Sequence, residues 1–277
     1  MIPAKFDYVR AGSADEAVSL LQQHGDDAKL LAGGHSLIPL MRLRLATPAV
    51  LIDLGPVRDL SYINDAGDHV AIGALTRHRD VETSELLAKD APLLAHVAGQ
   101  VGDPQVRHRG TIGGSLAHGD PASDLPAALI ALGGSLVVRG PDGERTIGVD
   151  DFFTGFLETA IGPADVLTEI RVPKASGGWS FQKFHRRAQD WAIVGVAAQR
   201  RNGGVGVGLV NMGPTPLRAR AVEEAVASGS SPEDAAAVAD QGAEPSADLS
   251  ASVAYRQHLV RVLTRRALEE AATASTG

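Results

Sequence analysis

The chain contains no cysteine. That absence excludes a disulfide, a cysteine-ligated iron–sulfur cluster and a thiol nucleophile, so any such redox centre serving this protein must sit on another polypeptide. Long hydrophobic runs are missing as well. Nothing approaches the roughly 18 apolar residues of a membrane span, and no basic stretch followed by an apolar one opens the chain, so a cytoplasmic location is expected. Positive charge is in the minority: the net charge of −7 argues against nucleic acid as the main partner, with Arg42 and Arg44 the local pair that could still meet a phosphate. A nucleophile elbow is absent. So is a complete dinucleotide fingerprint, because Gly204, Gly206 and Gly208 begin like one but Asn211 stands where its third glycine belongs. That stretch reads as a strand. The histidines are scattered and form no i, i+4 pair, even though His35, His108 and His118 lie near glycine turns, so no metal site is expected.

What the chain does have is glycine in a particular arrangement. Ala32-Gly33-Gly34-His35-Ser36 and Thr111-Ile112-Gly113-Gly114-Ser115 are alike, each with two adjacent glycines and a nearby hydroxyl, and their glycine pairs are 80 residues apart. Such loops close backbone N–H groups on phosphate oxygens. Two of them could grip a diphosphate from both sides, which suggests a dinucleotide held between two subdomains; the plain alternative is two ordinary tight turns.

At 277 residues, 44% hydrophobic and 21% charged, the chain has the size and composition of about two globular domains. Ser13 to Glu16 forms a capping box ahead of a helix that Gly25 ends, and Lys29 to Ala32 and Val50 to Leu54 are strands of a small βαβ-like first subdomain. His69 to Leu75 reads as a strand, with Thr76 capping a helical stretch through Leu87. A second helix covers Leu93 to Val101, a loop leads to the second glycine turn, and Ser123 to Leu132 is a helix closed by Gly133 before a strand at Leu136 to Arg139. Pro173 to Gly178 marks a boundary. Beyond it, Ile193 to Gln199 and Val205 to Met212 pair around Asn202-Gly203-Gly204, helices start at Ser231-Pro232 and span Val253 to Ala271, and the Ala/Ser/Gly-rich C-terminus is expected to fray.

The run Gly102 to Arg107, continuing through Arg109 to Gly114 and on to Asp120-Pro121-Ala122-Ser123-Asp124-Leu125-Pro126, resembles the FAD-binding medium subunits of the molybdenum hydroxylases, the family of the carbon monoxide and xanthine dehydrogenase medium chains. Ala32 to Ser36 with Leu37 and Pro39 resembles that family's first FAD turn. Lys183 to Arg187 with Asp190-Trp191-Ala192 resembles the opening of its C-terminal domain, so the likeness runs through essentially the whole chain. It implies an α+β fold: a two-subdomain FAD-binding domain of the PCMH/vanillyl-alcohol-oxidase type at residues 1–175 (subdomains about 1–55 and 56–175), and at 176–277 an α+β C-terminal domain with a small antiparallel sheet and helices.

The resemblance also implies roles. Ala32, Gly33, Gly34, His35, Ser36 and Leu37, with Thr111, Ile112, Gly113, Gly114 and Ser115, would hold a noncovalent FAD by its pyrophosphate. Asp124 would hydrogen-bond a polar part of the cofactor, Leu167 and Lys183 would approach the flavin, and Trp191 would lie against its ring. His108 and Ser115 depart from the family pattern, which leaves their side-chain contacts open. Read without the resemblance, Asp124 is equally a helix N-cap, Lys183, Arg186 and Arg187 a solvated basic edge, and Trp191 a core aromatic. No residue of this chain is assigned a catalytic acid or base. The implied function is electron transfer: a small subunit with [2Fe-2S] clusters and a large subunit with a molybdenum cofactor, in a dimer of heterotrimers, would feed electrons through FAD to a quinone, NAD or oxygen. Carbon monoxide is the first-ranked substrate, with purines, aldehydes and N-heterocycles open. The acceptor would allow peripheral contact with the inner membrane face. A self-sufficient flavoenzyme and a non-catalytic FAD-dependent scaffold are the rival readings.

Overall fold

A computed structural model describes residues 2–201 and 203–273; Met1, Asn202 of the expected turn and residues 274–277 of the tract expected to fray lie outside the described residues. The first lobe is built of β1 (Asp7–Arg10), α1 (Ala14–His24), β2 (Ala28–Leu31), α2 (Leu37–Leu43) and β3 (Val50–Asp53). Its strands form an all-parallel sheet with β3 between β1 and β2. The capping box is present: Ser13 Oγ accepts the Glu16 N–H at 3.1 Å, and the Glu16 carboxylate reaches back to the Gly12 N–H at 2.7 Å. Strand β1 carried no sequence signal, because its alternation is weak and its residues are mostly exposed.

The second lobe runs through β4 (Ile63–Asp65), β5 (His69–Gly73), α3 (His78–Thr83), α4 (Glu85–Asp90), α5 (Pro92–Gly99), α6 (Pro104–Arg109), α7 (Ile112–His118), α8 (Asp124–Leu132), β6 (Ser135–Gly140), β7 (Gly143–Gly148), α9 (Val149–Phe152), β8 (Phe153–Gly155), β9 (Glu158–Thr159) and β10 (Val166–Pro173). Strands β4, β5, β10, β6 and β7 lie in that order in one antiparallel sheet, and β8 with β9 makes a separate hairpin. Three expectations are corrected here. Thr76 caps no helix; its hydroxyl donates to Tyr62 O at 3.0 Å and accepts the Tyr62 N–H, which ties it to the sheet edge. The helical stretch after it breaks at Ser84, whose own side chain caps α4. The second glycine motif, preceded by the short helix α6 instead of a loop, is the first turn of α7, with Thr111 as its N-cap.

The third lobe holds β11 (Trp179–Phe184), β12 (Val194–Arg201), β13 (Gly204–Val210) and β14 (Leu217–Arg218) in a sequential antiparallel sheet, followed by α10 (Arg220–Ala227), α11 (Pro232–Ala236) and α12 (Val253–Thr273). Strand alternation sorts the two faces. Val205, Val207 and Leu209 join Leu259, Val260, Leu263 and Ala267 of α12 in one core. Gly206 and Gly208 face the other way, against α8, and every residue of α8 is buried. A Cβ on Gly206 would collide with Ala131 O, and one on Gly208 with Ala127 O. The glycine spacing that mimics a dinucleotide fingerprint is therefore a seat for a helix.

Every strand of the third sheet touches α8. Lys183 of β11 pairs with Asp124 at the N-terminus; Arg201 of β12 donates to Ala131 O and Arg218 of β14 to Ile130 O, at the helix C-terminus where cations are favoured. Among the described residues, no helix is long and apolar enough to cross a membrane.

Gly208→Ala is expected to destabilise the chain by about 1–3 kcal/mol in a urea melt, as overpacking does. Gly204→Ala, which meets nothing within 4 Å, is expected to leave stability within about 0.5 kcal/mol. Equal effects at the two positions would contradict the helix-seat assignment.

Candidate functional site: a cleft between two glycine segments

The two glycine segments meet because their backbones can touch. A Cβ on Gly33 would collide with Arg109 O and the Gly110 Cα, and one on Gly114 would come within 3.8 Å of the Ala32 side chain. The second segment is anchored within its own lobe: His78 N–H donates to Gly110 O at 3.0 Å, Arg77 bonds Arg109 O, and Ile112 and Gly113 donate to Thr76 O and Ala74 O at 3.0 and 2.9 Å.

The two segments are not equivalent in what they offer. In the second, the amides are already used: Ile112 and Gly113 as above, Gly114 on Thr111 Oγ1 at 3.1 Å, Ser115 on Thr111 O at 3.1 Å. In the first, the N–H groups of Gly33, Gly34, His35 and Ser36 have no hydrogen-bond acceptor among the described residues. Gly34 holds φ +79°, a conformation that favours glycine, and a Cβ there would lie 2.7 Å from Ile38 Cδ1. Open amide donors thus come from the first segment, while the second supplies a capped helix end with no side chain at Gly114.

Above this junction lies a cleft of about 1330 Å³, larger than the roughly 300–1,000 Å³ of sites for drug-sized ligands. Its walls include Ala32 to Leu37, Thr111, Gly113 to Ser115, Asp124, Leu167, Lys183 and Trp191. Of the site residues expected from sequence, Ile112 alone falls outside the lining; its side chain is in the core, 1% exposed.

Asp124 and Lys183 form a buried ion pair at 2.6 Å, with side chains 6% and 8% exposed. Lys183 Nζ also donates to Gln100 O at 3.0 Å. Burial pushes the Asp124 carboxyl up, against the pull of Lys183 and His185, and its Oδ1 has no partner. Asp124 is not the N-cap of α8: Ser123 occupies that position, and Asp124 opens the helix. Lys183 is no solvated edge residue, whereas Arg186 and Arg187 are exposed. Trp191 is 62% exposed at the cleft wall and so is not a core aromatic.

Two features of the wall gave no sequence signal. Leu157 adopts φ +58° at the tip of the β8–β9 hairpin, where Phe-Leu is not a turn pair. His78 stands outside any motif, yet its ring packs on Gly110, where a Cβ would lie 2.6 Å away. It is 4% exposed with Nδ1 unpartnered, and burial, reinforced by His35, Arg77 and Arg107, lowers its pKa to about 4. The imidazole is neutral at pH 7.

A cleft of this volume, lined by open amides, a buried carboxylate–ammonium pair and an exposed indole, defines a two-lobed module for a large, phosphate-bearing cofactor. Comparison with known proteins makes the class specific. Residues 4–175 match the FAD binding domain in molybdopterin dehydrogenase and residues 179–271 the CO dehydrogenase flavoprotein C-terminal domain, so the chain belongs to this family of FAD-binding oxidoreductase subunits. The carbon monoxide dehydrogenase medium chain of Hydrogenophaga pseudoflava is 41% identical, and the nicotine 6-hydroxylase medium subunit of Paenarthrobacter nicotinovorans 37%, over 98% of both chains and over 95% and 96% respectively. Among solved structures, carbon monoxide dehydrogenase from Hydrogenophaga pseudoflava lacking the Mo-pyranopterin moiety superposes with TM-score 0.93 at 42% identity, covering 98% of each chain. Quinoline 2-oxidoreductase from Pseudomonas putida 86 superposes with TM-score 0.92 at 29% identity over the full length of both.

The unfolded chain takes up the His78 proton near pH 6.5 and the folded chain only near 4, so stability is expected to fall as pH drops through that window, by roughly 3 kcal/mol from this residue. His78→Gln is expected to flatten the slope in urea melts between about pH 7 and about pH 4.5. An unchanged slope contradicts a buried, neutral His78.

Proposed function

We propose that the chain is the FAD-bearing electron-transfer subunit of a molybdenum hydroxylase built from three kinds of subunit, with an FAD-binding domain at 1–175 and a C-terminal domain at 176–277. The observation that carries this reading is the row of unbonded amides from Gly33 to Ser36 in a cleft that Asp124, a buried carboxylate with Oδ1 unpartnered, also lines. The amides stand open to a phosphate, which such donors close on, and the buried Asp124 oxygen is a polar atom costly to leave without a partner.

The residues present fit FAD. The open amides of the Ala32–Ser36 turn take the pyrophosphate, with the Thr111 hydroxyl and the bare surface of Gly114 on the other side. Asp124 accepts from a polar part of the cofactor, Lys183 holds Asp124 in place and presents charge to the cleft, Leu167 supplies an apolar wall, and Trp191 offers its indole face to the ring. Attachment is noncovalent. When bound, FAD supplies the capacity to take up and give out one or two electrons; the chain's own residues bind it, orient it and set its electrostatic surroundings, with no acid–base pair of their own.

Because the chain has no cysteine, iron–sulfur clusters must be held by a partner, and the family points to a small [2Fe-2S] subunit and a large molybdenum subunit in a dimer of heterotrimers. Quinone, NAD or oxygen is the external acceptor, reached from the cytoplasm. Carbon monoxide is the substrate we favour, since carbon monoxide dehydrogenase medium chains match at 41% and 38% identity. A second reading has its own support: the medium subunit of a nicotine 6-hydroxylase and the alpha subunit of a 6-hydroxypseudooxynicotine dehydrogenase complex match at 37% and 36%, over 95% and 98% of the chain. Substrate choice falls to the molybdenum subunit, so an N-heterocycle, xanthine or aldehyde dehydrogenase would use the same FAD subunit design.

Gly114→Val crowds Thr111 Oγ1, 2.7 Å from a Cβ there, and fills the bare surface beside Ala32, and Gly34→Val forces a β-branched residue to φ +79°. Both variants are expected to purify folded, by circular dichroism, with flavin content lowered about tenfold or more. A folded double variant with unchanged flavin would overturn the site. Purification of the tagged chain from its native host is expected to bring down both an iron–sulfur and a molybdenum subunit.

A further inference from the structure

Asn211 stands where a dinucleotide fingerprint would need glycine, and its φ of +60° shows that the backbone there does take a conformation that glycine adopts easily. Asparagine is among the few other residues that tolerate it. What asparagine adds is a side-chain amide that reaches a second segment while the backbone N–H holds the first. Its N–H donates to Pro121 O at 2.8 Å, and its Nδ2 donates to Ala192 O at 2.9 Å. Pro121 lies in the loop that leads to Asp124; Ala192 directly follows Trp191. Asn211 itself is not part of the cleft lining.

The segment it grips, residues 185–193, crosses from β11 to β12 without regular structure and lines the cleft from Arg187 to Trp191. Its base is held by three contacts. Ile193 N–H donates to Phe184 O at 2.8 Å and Ala192 O accepts from Asn211. Ile193 O accepts from Arg256, a 2% exposed arginine of α12 whose other Nη is bonded to Asp248 at 2.6 Å. Of these, only Asn211 also reaches the Asp124 wall.

We propose that Asn211 is a positioning residue for the cofactor: by holding Pro121 and Ala192 at once, it fixes the spacing between the Asp124 wall and the Trp191 indole, and so sets the affinity for FAD and the surroundings of its ring. This rests on the FAD reading above. It assigns to a residue that touches no ligand a control over the two side chains that would sit on either side of one.

The test uses the full chain carrying Trp179→Phe, which leaves Trp191 as the only tryptophan. Asn211→Gly keeps the left-handed backbone and the bond to Pro121 while deleting the bond to Ala192. Asn211→Asp keeps the shape but turns a donor into an acceptor facing a carbonyl. FAD affinity is measured by titration, and the Trp191 emission spectrum with and without FAD. Both variants are expected to weaken FAD about tenfold, Asn211→Asp the more, and to shift Trp191 emission in the FAD-free chain while the melting temperature of Asn211→Gly stays near that of the parent. Unmoved Trp191 emission in both variants overturns the proposal, whether or not FAD affinity or melting temperature changes. If the parent itself takes up no FAD, the FAD reading falls, and the emission of the FAD-free variants still decides whether Asn211 positions Trp191.

Discussion

The cleft depends on how closely the backbone at Gly33 lies against the backbone at Arg109 and Gly110. A single methyl group on Gly33 would drive the two apart, because what it would meet is main chain and not the end of a flexible side chain. With that contact made, the open amides of the first lobe and the capped start of α7 in the second face one space. Without it they are two unrelated turns. Gly113 against Ala74 and Gly110 against His78 serve the same end, so glycines that read as phosphate-binding are in large part required by protein packing.

Helix α8 does for the third lobe what the glycine contact does for the first two. It is wholly buried, seated on Gly206 and Gly208 and held at its ends by Lys183, Arg201 and Arg218 from the other strands of the same sheet. The two arginines answer the helix's C-terminal carbonyls. Lys183 answers a carboxylate at its first turn, and a buried pair of this kind adds little net stability because desolvation offsets the attraction. Its consequence is geometric: it holds Asp124 at one place in the cleft wall with one oxygen unspent.

Much of this was legible in the sequence. The strands at Val50, His69 and Val205, the helix ended by Gly133 and the long C-terminal helix all follow from apolar periodicity and caps. The glycine segments are legible, but not their difference: whether an amide is free depends on Ala74 and Thr76, far from the motif in sequence. The same holds for Thr76, a fair N-cap by type that the sheet edge claimed through Tyr62. Strand β1 and the β8–β9 hairpin escaped because exposed strands lack clear alternation and Phe-Leu is a poor turn pair. For Asp124, Lys183 and Trp191 the residues alone left two readings each, and the structure removes the plain one: Ser123 and not Asp124 caps α8, Lys183 is buried against Asp124, and Trp191 is 62% exposed. His78 and Asn211 matter through what they touch, which no local pattern encodes.

The claim that these parts form one noncovalent dinucleotide site is tested most directly by purifying the chain, recording its visible spectrum, denaturing it and identifying what is released by chromatography. The account predicts a flavin spectrum and FAD released in about a one-to-one ratio to the chain, with none left attached. A folded chain that yields no FAD, and takes none up when it is added, would contradict it.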